Sequence, residues 1–256
     1  MKIMSWNVNS VRVRTERLVE VLRRHRPDAL CLQELKTVDS GFPFSEIEAE
    51  GYHAVTLGQK TYNGVAILSP VKPMSVVRNM GDGVADEQAR LISAIINGVQ
   101  VISVYVPNGG VVGSDKWDYK RQWFSRLRTW LDGHSDPSQK VALCGDFNVA
   151  IEDRDVHNID AWANSVLCVP EIRADMQRIL DWGFTDTFRL HEVASGKHSW
   201  WDYRGLSFPK NRGLRIDYVL STSTLTAACT DAGIDRNERK GKQPSDHAPV
   251  WADFDI

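Results

Sequence analysis

Several acidic and amide side chains stand at the ends of apolar segments, where they could do chemistry. Asn7 closes the apolar residues 2–6, Glu34 follows residues 29–32, and Asp146 follows residues 141–144, while Asp217 lies within residues 214–220. A carboxylate beside a buried strand is costly unless it is paired, hydrogen-bonded or bound to a cation. For one acid alone, a strand-end cap or a local salt bridge is the better interpretation. A metal-centred cluster would account for all of them together.

A histidine near residue 250 adds a second chemical group. Asp246 and His247 lie in a short segment between Pro244 and Pro249. A lone histidine is usually structural, but one held between rigid turn residues in a chain with several unpaired carboxylates is a candidate for phosphate contact or acid–base work. No serine nucleophile elbow, Walker loop or zinc-ligand spacing competes with this pattern.

The elements that must position these groups are short strands alternating with helices, as in an α/β or α+β fold of layered sheets and helices. Apolar runs predict buried strands at residues 2–6, 29–32, 65–68, 99–105, 141–144 and 216–220.

Two helices are predicted from apolar stripes at i, i+3, i+4 spacing. One stripe follows a candidate N-cap at Ser114 and Asp115, and the other lies between Pro170 in a first turn and Gly183 past the end. The stripes consist of Trp123, Phe124, Leu127, Trp130 and Leu131, and of Ile172, Met176, Ile179 and Leu180.

Composition and charge set broad limits on the class of protein. The chain has 256 residues, 42% hydrophobic and 25% charged, as in ordinary globular proteins. No linker separates two domains, so we expect one domain over residues 1–256. The absence of a long apolar run and of a leader-like start predicts no membrane segment and a cytoplasmic location.

The four cysteines are expected to be free thiols. A net charge of −2 does not itself indicate a nucleic-acid partner, although residues 197–242 carry nine Lys and Arg against five Asp and Glu.

Two short segments of the chain resemble each other weakly. Trp6-Asn7-Val8 and Phe147-Asn148-Val149 each place an aromatic residue, Asn and Val at the end of an apolar segment. Chance easily explains a tripeptide. A chain built of two related halves would place the two Asn side chains at corresponding edges of two packed sheets.

Eight segments, in order along the whole chain, resemble the exonuclease III and apurinic/apyrimidinic (AP) endonuclease family of the DNase I-like superfamily. Any one segment is weak evidence, whereas eight in family order are specific. They are residues 5–9 (SWNVN), 32–36 (LQELK), 63–66 (NGVA), 105–109 (YVPNG), 145–149 (GDFNV), 200–204 (WWDYR), 213–217 (GLRID) and 245–249 (SDHAP).

The resemblance implies a four-layer α/β sandwich, two packed mixed sheets flanked by helices, and a set of residue roles. Glu34 would be the principal ligand of Mg²⁺ or Mn²⁺, with Asn7 and Asp246 nearby, an oxygen-rich set that suits these ions. Asp146 would orient and deprotonate the attacking water with help from Asn148. His247, braced by Asp217, would contact the scissile phosphate, which Tyr105 and Asn108 would support from another side.

The implied substrate is double-stranded DNA with an abasic site, a nick or a recessed 3′ end, cleaved by a monomer. Trp200, Leu214 and Ile216 would line a pocket for a base-free deoxyribose, although they could equally be core residues under a loop. Basic side chains could meet backbone phosphates, which would make affinity fall with salt. These are Arg204, Lys210, Arg212 and Arg215.

Alternatives stay open within this resemblance. Leu167, at a position that is often small in AP endonucleases, could hinder an internal abasic nucleotide and favour 3′ ends, making the protein a 3′ exonuclease and 3′-phosphatase. Asn9, where some relatives carry an acid, gives less support to a second metal site. A more remote alternative is an enzyme of this superfamily that acts on a phosphoinositide, on sphingomyelin or on RNA. Another is a regulator that kept the fold and lost activity.

Overall fold

The computed structural model describes all 256 residues, which form twelve strands and seven α-helices. The strands are β1 Lys2–Asn7, β2 Ala29–Gln33, β3 His53–Leu57, β4 Val65–Ser69, β5 Met74–Arg78, β6 Leu91–Ile96, β7 Val99–Tyr105, β8 Val141–Asp146, β9 Phe184–Asp186, β10 Asp217–Thr222, β11 Cys229–Ile234 and β12 Val250–Phe254. The helices are α1 Val11–His25, α2 Phe44–Ala49, α3 Asp115–His134, α4 Ile159–Trp162, α5 Pro170–Leu180, α6 Thr187–His191 and α7 Ser223–Thr226.

The strands form two six-stranded sheets with the same arrangement. The first has the order β11-β12-β1-β2-β4-β3. The second, read from the corresponding edge, has the order β9-β10-β8-β7-β6-β5. Each contains one parallel pair, β1 with β2 and β7 with β8, and is otherwise antiparallel. Strand β1 therefore corresponds to β8, β2 to β7, and β12 to β10. The predicted pair of mixed sheets is confirmed.

Apolar side chains from both sheets form the central core, and helices cover the outer faces. Ile3 and Ile67 of the first sheet belong to one buried cluster with Val101 and Cys144 of the second. Helix α1 packs Leu18 and its neighbours against the outer face of the first sheet. Helices α3 and α5 share a core with the second sheet. The molecule thus has four layers. None of its helices has the length and hydropathy that a membrane-spanning segment needs.

Both predicted helices are confirmed with their ends. Ser114 is the N-cap of α3, and its hydroxyl accepts a hydrogen bond from the backbone N–H of Trp117 at 3.3 Å. Helix α5 begins at Pro170 and ends before Gly183, whose φ of 132° suits glycine. All six predicted strands are present: β7 has its predicted bounds, β1, β2, β4 and β8 extend one or two residues further, and β10 begins one residue later and ends two residues later.

Arg215 is a structural cation, which corrects the expectation that it meets DNA phosphates. Its side chain is 1% exposed and pairs with Asp155 at 2.8 Å and with Asp186 at 2.7 Å. Its guanidinium also lies over the rings of Phe188 and Tyr218. Because no face of this side chain reaches solvent, it ties the loop before β10 to the segment that follows β8.

We expect Asp155→Asn to lower the free energy of unfolding by about 3 kcal/mol, because it removes the carboxylate charge shared by the buried Arg215 and Arg189 and leaves Asp186 as the one remaining partner of Arg215. Urea denaturation monitored by circular dichroism measures this change. The matched control is Asp153→Asn, two residues away, whose 69% exposed side chain pairs with Arg173 and should leave the midpoint nearly unchanged. Equal midpoints for the two variants would contradict the role assigned to this buried pair.

Candidate active site

The chemistry-bearing residues lie at one edge shared by the two sheets. Asn7 ends β1 and Asp146 ends β8, so they occupy corresponding positions in the two sheets. Glu34 directly follows β2, and Tyr105 ends β7. Since the carboxyl ends of two parallel strands meet at the same edge, the parallel pair in each sheet delivers two of these side chains to one place.

The strands that lie antiparallel to β1 and β8 also carry site residues at corresponding places. Asp217 begins β10, and His247 lies just ahead of β12. In the first sheet β12 is the antiparallel neighbour of β1, and in the second β10 is the antiparallel neighbour of β8. Asn148 lies two residues past the end of β8, so Asn7 and Asn148 are at the same edge of the two sheets, although the strand position that corresponds to Asn7 is that of Asp146.

Asp146 is fully buried at the centre of the site. Its carboxylate accepts hydrogen bonds from Asn7 Nδ2 at 2.9 Å and from the backbone N–H and Nδ2 of Asn148 at 2.9 and 3.3 Å. Burial raises its pKa to about 7, the nearby His247 cation opposes that rise, and the negative charges of Asp217 and Glu34 add to it. Asp146 is thus a stronger base than an ordinary aspartate.

Glu34 stays ionised although it is largely buried. Its carboxylate accepts hydrogen bonds from Asn7 Nδ2 at 2.8 Å and from the Tyr105 hydroxyl at 2.9 Å, and Lys36 Nζ lies 2.8 Å away. Burial raises its pKa, but the Lys36 charge and these hydrogen bonds outweigh burial and hold the pKa below its usual value. Its φ of 53° is in the left-handed region, which an L-residue occupies at a cost. This strained turn directs the carboxylate toward Asp146.

His247 and Asp217 form a hydrogen-bonded pair beside Asp146. His247 Nδ1 lies 2.9 Å from Asp217 Oδ2, and its Nε2 lies 3.8 Å from Asp146 Oδ2. The Ser199 hydroxyl donates to Asp217 at 2.6 Å and holds that carboxylate in place. Burial lowers the pKa of His247, yet the charges of Asp217 and Asp146 raise it to about 10. The Nε2 side of the ring is therefore a cationic donor facing the centre of the site.

The centre of the site fits a divalent cation. Ligand atoms of Glu34, Asp146 and His247 all lie within 4.8 Å of one another. Two carboxylates this close repel each other in a buried site unless a positive charge lies between them. Carboxylate oxygens are ligands that Mg²⁺ and Mn²⁺ prefer.

Asn7 and Asp246 lie in the site in arrangements that the sequence did not indicate. Asn7 directs its amide N–H groups to Glu34 and Asp146, and its Oδ1 accepts the backbone N–H of Asn9. Asp246 accepts hydrogen bonds from Asn9 Nδ2 at 2.9 Å and from Trp200 Nε1 at 3.0 Å. It lines the same pocket without joining the close group around Glu34.

Two amide side chains extend the site away from the first sheet. Asn108 Nδ2 donates to Asn148 Oδ1 at 3.1 Å, and Asn148 Nδ2 also donates to the backbone carbonyl of Val106 at 3.0 Å. Asn148 has a φ of 51°, so its turn is left-handed like that of Glu34. This chain of bonds links the loop after β7 to Asp146.

A pocket of about 570 Å³ opens directly beside these groups. Its polar wall includes Glu34, Asp146 and His247, and Arg204 lies on its rim with a 90% exposed side chain. The apolar lining includes Val111, Val112, Trp162, Val166, Leu167, Trp200 and Ile216.

The structure does not bring Leu214 to this pocket. Leu214 is fully buried in the core behind Trp200, and the backbones of these two residues are hydrogen-bonded. Its location matches the core interpretation that the sequence left open for this residue.

Sequence reasoning missed several side chains that shape the site. Trp162 packs edge-to-face against Trp200 at 6.0 Å between ring centroids, Lys36 pairs with Glu34, and Ser199 braces Asp217. Lys36 could have been found, since a cation two residues from a buried acid is a candidate partner. Neither Trp162 nor Ser199 carries a local sequence signal.

Comparisons with known proteins bear on this geometry. The endonuclease/exonuclease/phosphatase family model matches residues 4–247. The chain belongs to this family. It is 36% identical to an exodeoxyribonuclease III of Haemophilus influenzae over 99% of this chain and 100% of that protein. The resemblance read from eight segments is confirmed.

Solved structures of family members agree with the fold. An AP endonuclease from Archaeoglobus fulgidus superposes with a TM-score of 0.97 at 38% identity, covering 100% of both chains. A Neisseria 3′ phosphatase bound to a product DNA hairpin superposes with a TM-score of 0.96 at 40% identity, again over 100% of both chains.

We expect Asp217→Asn to lower the pKa of His247, because the Asp217 carboxylate is the strongest of the charges that raise it. In EDTA-treated protein, NMR titration of the His247 ring should show deprotonation near pH 10 in the wild type and at lower pH in the variant. Asp235→Asn, which removes the carboxylate paired with His25, is the matched control and should leave the His247 titration unchanged. A His247 titration that is the same in wild type and Asp217→Asn would refute the pairing.

Proposed function

We propose that this protein hydrolyses phosphodiester bonds of double-stranded DNA, on the 5′ side of abasic sites and at nicked or recessed 3′ ends, with Mg²⁺ as the natural cation and Mn²⁺ as a substitute. The observation that carries this proposal is the convergence of Glu34, Asp146 and His247 within 4.8 Å beside a pocket of about 570 Å³. The chain is an enzyme of the exodeoxyribonuclease III and AP endonuclease type. A silent regulator would be expected to have lost catalytic side chains, whereas all of those predicted are present and in contact.

Asp146 acts as the general base. Bulk water has a pKa of 15.7 and an ordinary aspartate one near 3.9, so complete proton removal before attack would cost roughly 16 kcal/mol. The raised pKa of Asp146 reduces that cost only to roughly 12 kcal/mol. Proton transfer must therefore accompany attack on phosphorus, while Asn148 and Asn7 hold the carboxylate oriented.

Glu34 is the residue we assign to the cation, with Asn7 and Asp246 adjacent. When bound, a Mg²⁺ ion neutralises charge that builds on phosphate oxygens and on the leaving O3′. Asn7 then keeps Glu34 and Asp146 apart by donating one N–H to each carboxylate.

His247 donates from Nε2 to a nonbridging phosphate oxygen, and Asp217 keeps the ring protonated and oriented. Tyr105 and Asn108 support the same phosphate from the side of the second sheet. The Tyr105 hydroxyl already donates to Glu34, so its position is tied to that of the cation site.

The apolar wall of the pocket selects the substrate. Trp200 and Ile216 face the space next to the catalytic groups, which suits a deoxyribose without its base. Arg204 lies on the pocket rim, and Lys210 and Arg212 are exposed later in the same loop; we assign these three cations to backbone phosphates. Both sheets contribute proposed catalytic residues to a single site, so we propose one catalytic domain over residues 1–256 that acts as a monomer. The four free cysteines fit a reducing compartment such as the cytoplasm.

End-labelled duplexes test this proposal. We expect cleavage of duplexes carrying an internal abasic site, a recessed 3′ end or a 3′-phosphate in Mg²⁺, and none in excess EDTA. Glu34→Gln should lower kcat by about 100- to 1,000-fold, a loss typical when one transition-state charge stabiliser is removed. Glu46→Gln, on exposed α2, is the control and should match the wild type. Cleavage that persists in EDTA, or a fully active Glu34→Gln variant, would overturn the proposal.

A second candidate function is a 3′-end specialist with little abasic-site incision. The observation that favours it is Leu167, which is 5% exposed and forms part of the apolar pocket wall next to Val166. A bulky side chain there narrows the space available to an internal abasic nucleotide, whereas a 3′-terminal group enters from the open side.

On this reading, Leu167→Gly should raise kcat/KM on an internal abasic duplex relative to a 3′-phosphate nick by about tenfold, because the change frees several methylene volumes in the pocket. Leu180→Ala, in the same core but away from the pocket, should leave this ratio unchanged. If wild type and Leu167→Gly show comparable rates on both substrates, Leu167 does not restrict entry and the specialist reading is wrong.

A further inference from the structure

Lys120 is a buried cation that neither the catalytic scheme nor any ion pair uses. It lies in α3, its residue is 0% exposed, and its ammonium donates to three backbone carbonyls. These are the carbonyls of Asn108 at 3.1 Å, Asn148 at 2.6 Å and Val166 at 2.7 Å. All three N–H bonds of the ammonium are thereby used.

An ammonium in this position is costly. Burial lowers the pKa of Lys120 to about 7, and the more distant charges of Asp146 and Asp175 oppose that fall. A methionine of similar length would fill the same space without this desolvation. The contribution of Lys120 therefore lies in what its three hydrogen bonds hold together.

The three carbonyls belong to segments that are separate in sequence and adjoin one another at the pocket. Asn108 lies in the loop after β7 and Asn148 in the turn after β8. Val166 precedes α5 and, with Leu167, forms the apolar wall. The two amide residues also bond each other and Asp146 through their side chains, so a shift of either carbonyl moves the catalytic amides.

The loop after β7 is fitted closely to this lysine. A Cβ added at Gly109 would lie 2.8 Å from Lys120 Cδ, and Gly109 has a φ of +95°. The backbone next to Asn108 thus passes directly over the lysine stem, in a conformation that favours glycine.

We propose that Lys120 is a positioning residue, whose ammonium fixes Asn108 and Asn148 relative to the wall formed by Val166 and Leu167. The residue touches no substrate. It sets both the geometry of the catalytic amides and the width of the pocket, so it couples turnover to the choice between internal abasic sites and 3′ ends. This inference rests on the function proposed above.

The test compares wild type with Lys120→Met, which keeps the length of the stem and removes the three donors. We expect kcat to fall by about 10- to 100-fold on both an internal abasic duplex and a 3′-phosphate nick, the loss expected when catalytic groups shift by about 1 Å. We also expect the ratio of the two kcat/KM values to change by at least about threefold. A merely structural role would not move this ratio, because a smaller fraction of folded enzyme lowers both rates equally.

Arg128→Met is the matched control, since it removes a cation of the same helix that pairs with Asp132 at the surface. It should retain the kcat and the ratio of the wild type. If Lys120→Met does not give the circular dichroism spectrum of folded protein, Lys120→Gln, which keeps two N–H donors, carries the same comparison.

The proposal is overturned if the folded variant keeps the wild-type ratio, whether its rates are normal or reduced by one common factor. It is also overturned if neither Lys120 variant folds, since Lys120 would then be a determinant of the fold. A wild type that cleaves neither duplex in Mg²⁺ would instead disprove the proposed function, and this inference would fall with it.

Discussion

The site depends on the crowding of negative charge in a buried place. Asp146, Asp217 and Glu34 surround one histidine, and each carboxylate would be costly there without a compensating partner. The structure supplies amide N–H groups from Asn7 and two cations, His247 and Lys36. Burial and repulsion between carboxylates raise the pKa of Asp146, whereas the Lys36 charge and hydrogen bonds from Asn7 and Lys36 lower the pKa of Glu34. The site therefore contains one carboxylate whose raised pKa suits a base and one that stays ionised and suits a cation ligand.

Two sheets with the same strand arrangement bring these charges together. Each sheet contributes residues at the carboxyl ends of its two parallel strands. It also contributes one residue near the start of the antiparallel strand beside them, His247 before β12 and Asp217 in β10. Because the sheets pack face to face, Asn7 of the first and Asn148 of the second bond the same Asp146 oxygen. Buried strands do not shift easily, since a one-residue slip would turn every apolar side chain away from the core. Catalytic groups on such strand ends are held more firmly than groups on long loops.

Part of the fold could be predicted because its signals are local. Continuous apolar runs revealed β1 and β8, and the Ser114 cap revealed the start of α3. Strands β3 and β5 were missed because they lie at sheet edges and carry exposed or half-exposed side chains, which leave no continuous apolar run. Helix α1 was missed because charged residues separate its apolar positions.

The sequence by itself determined which chemical groups the protein has and, through eight ordered segments, which family it belongs to. Only the tertiary structure decided how those groups are used. Arg215 and Leu214 stand beside Ile216 in the chain, yet the first is a buried ion-pair partner and the second a core residue, while Ile216 faces the pocket. Lys120 and Trp162 gained their places through contacts with distant segments. Burial, pairing and pocket walls arise between residues far apart in the chain, so no local pattern records them.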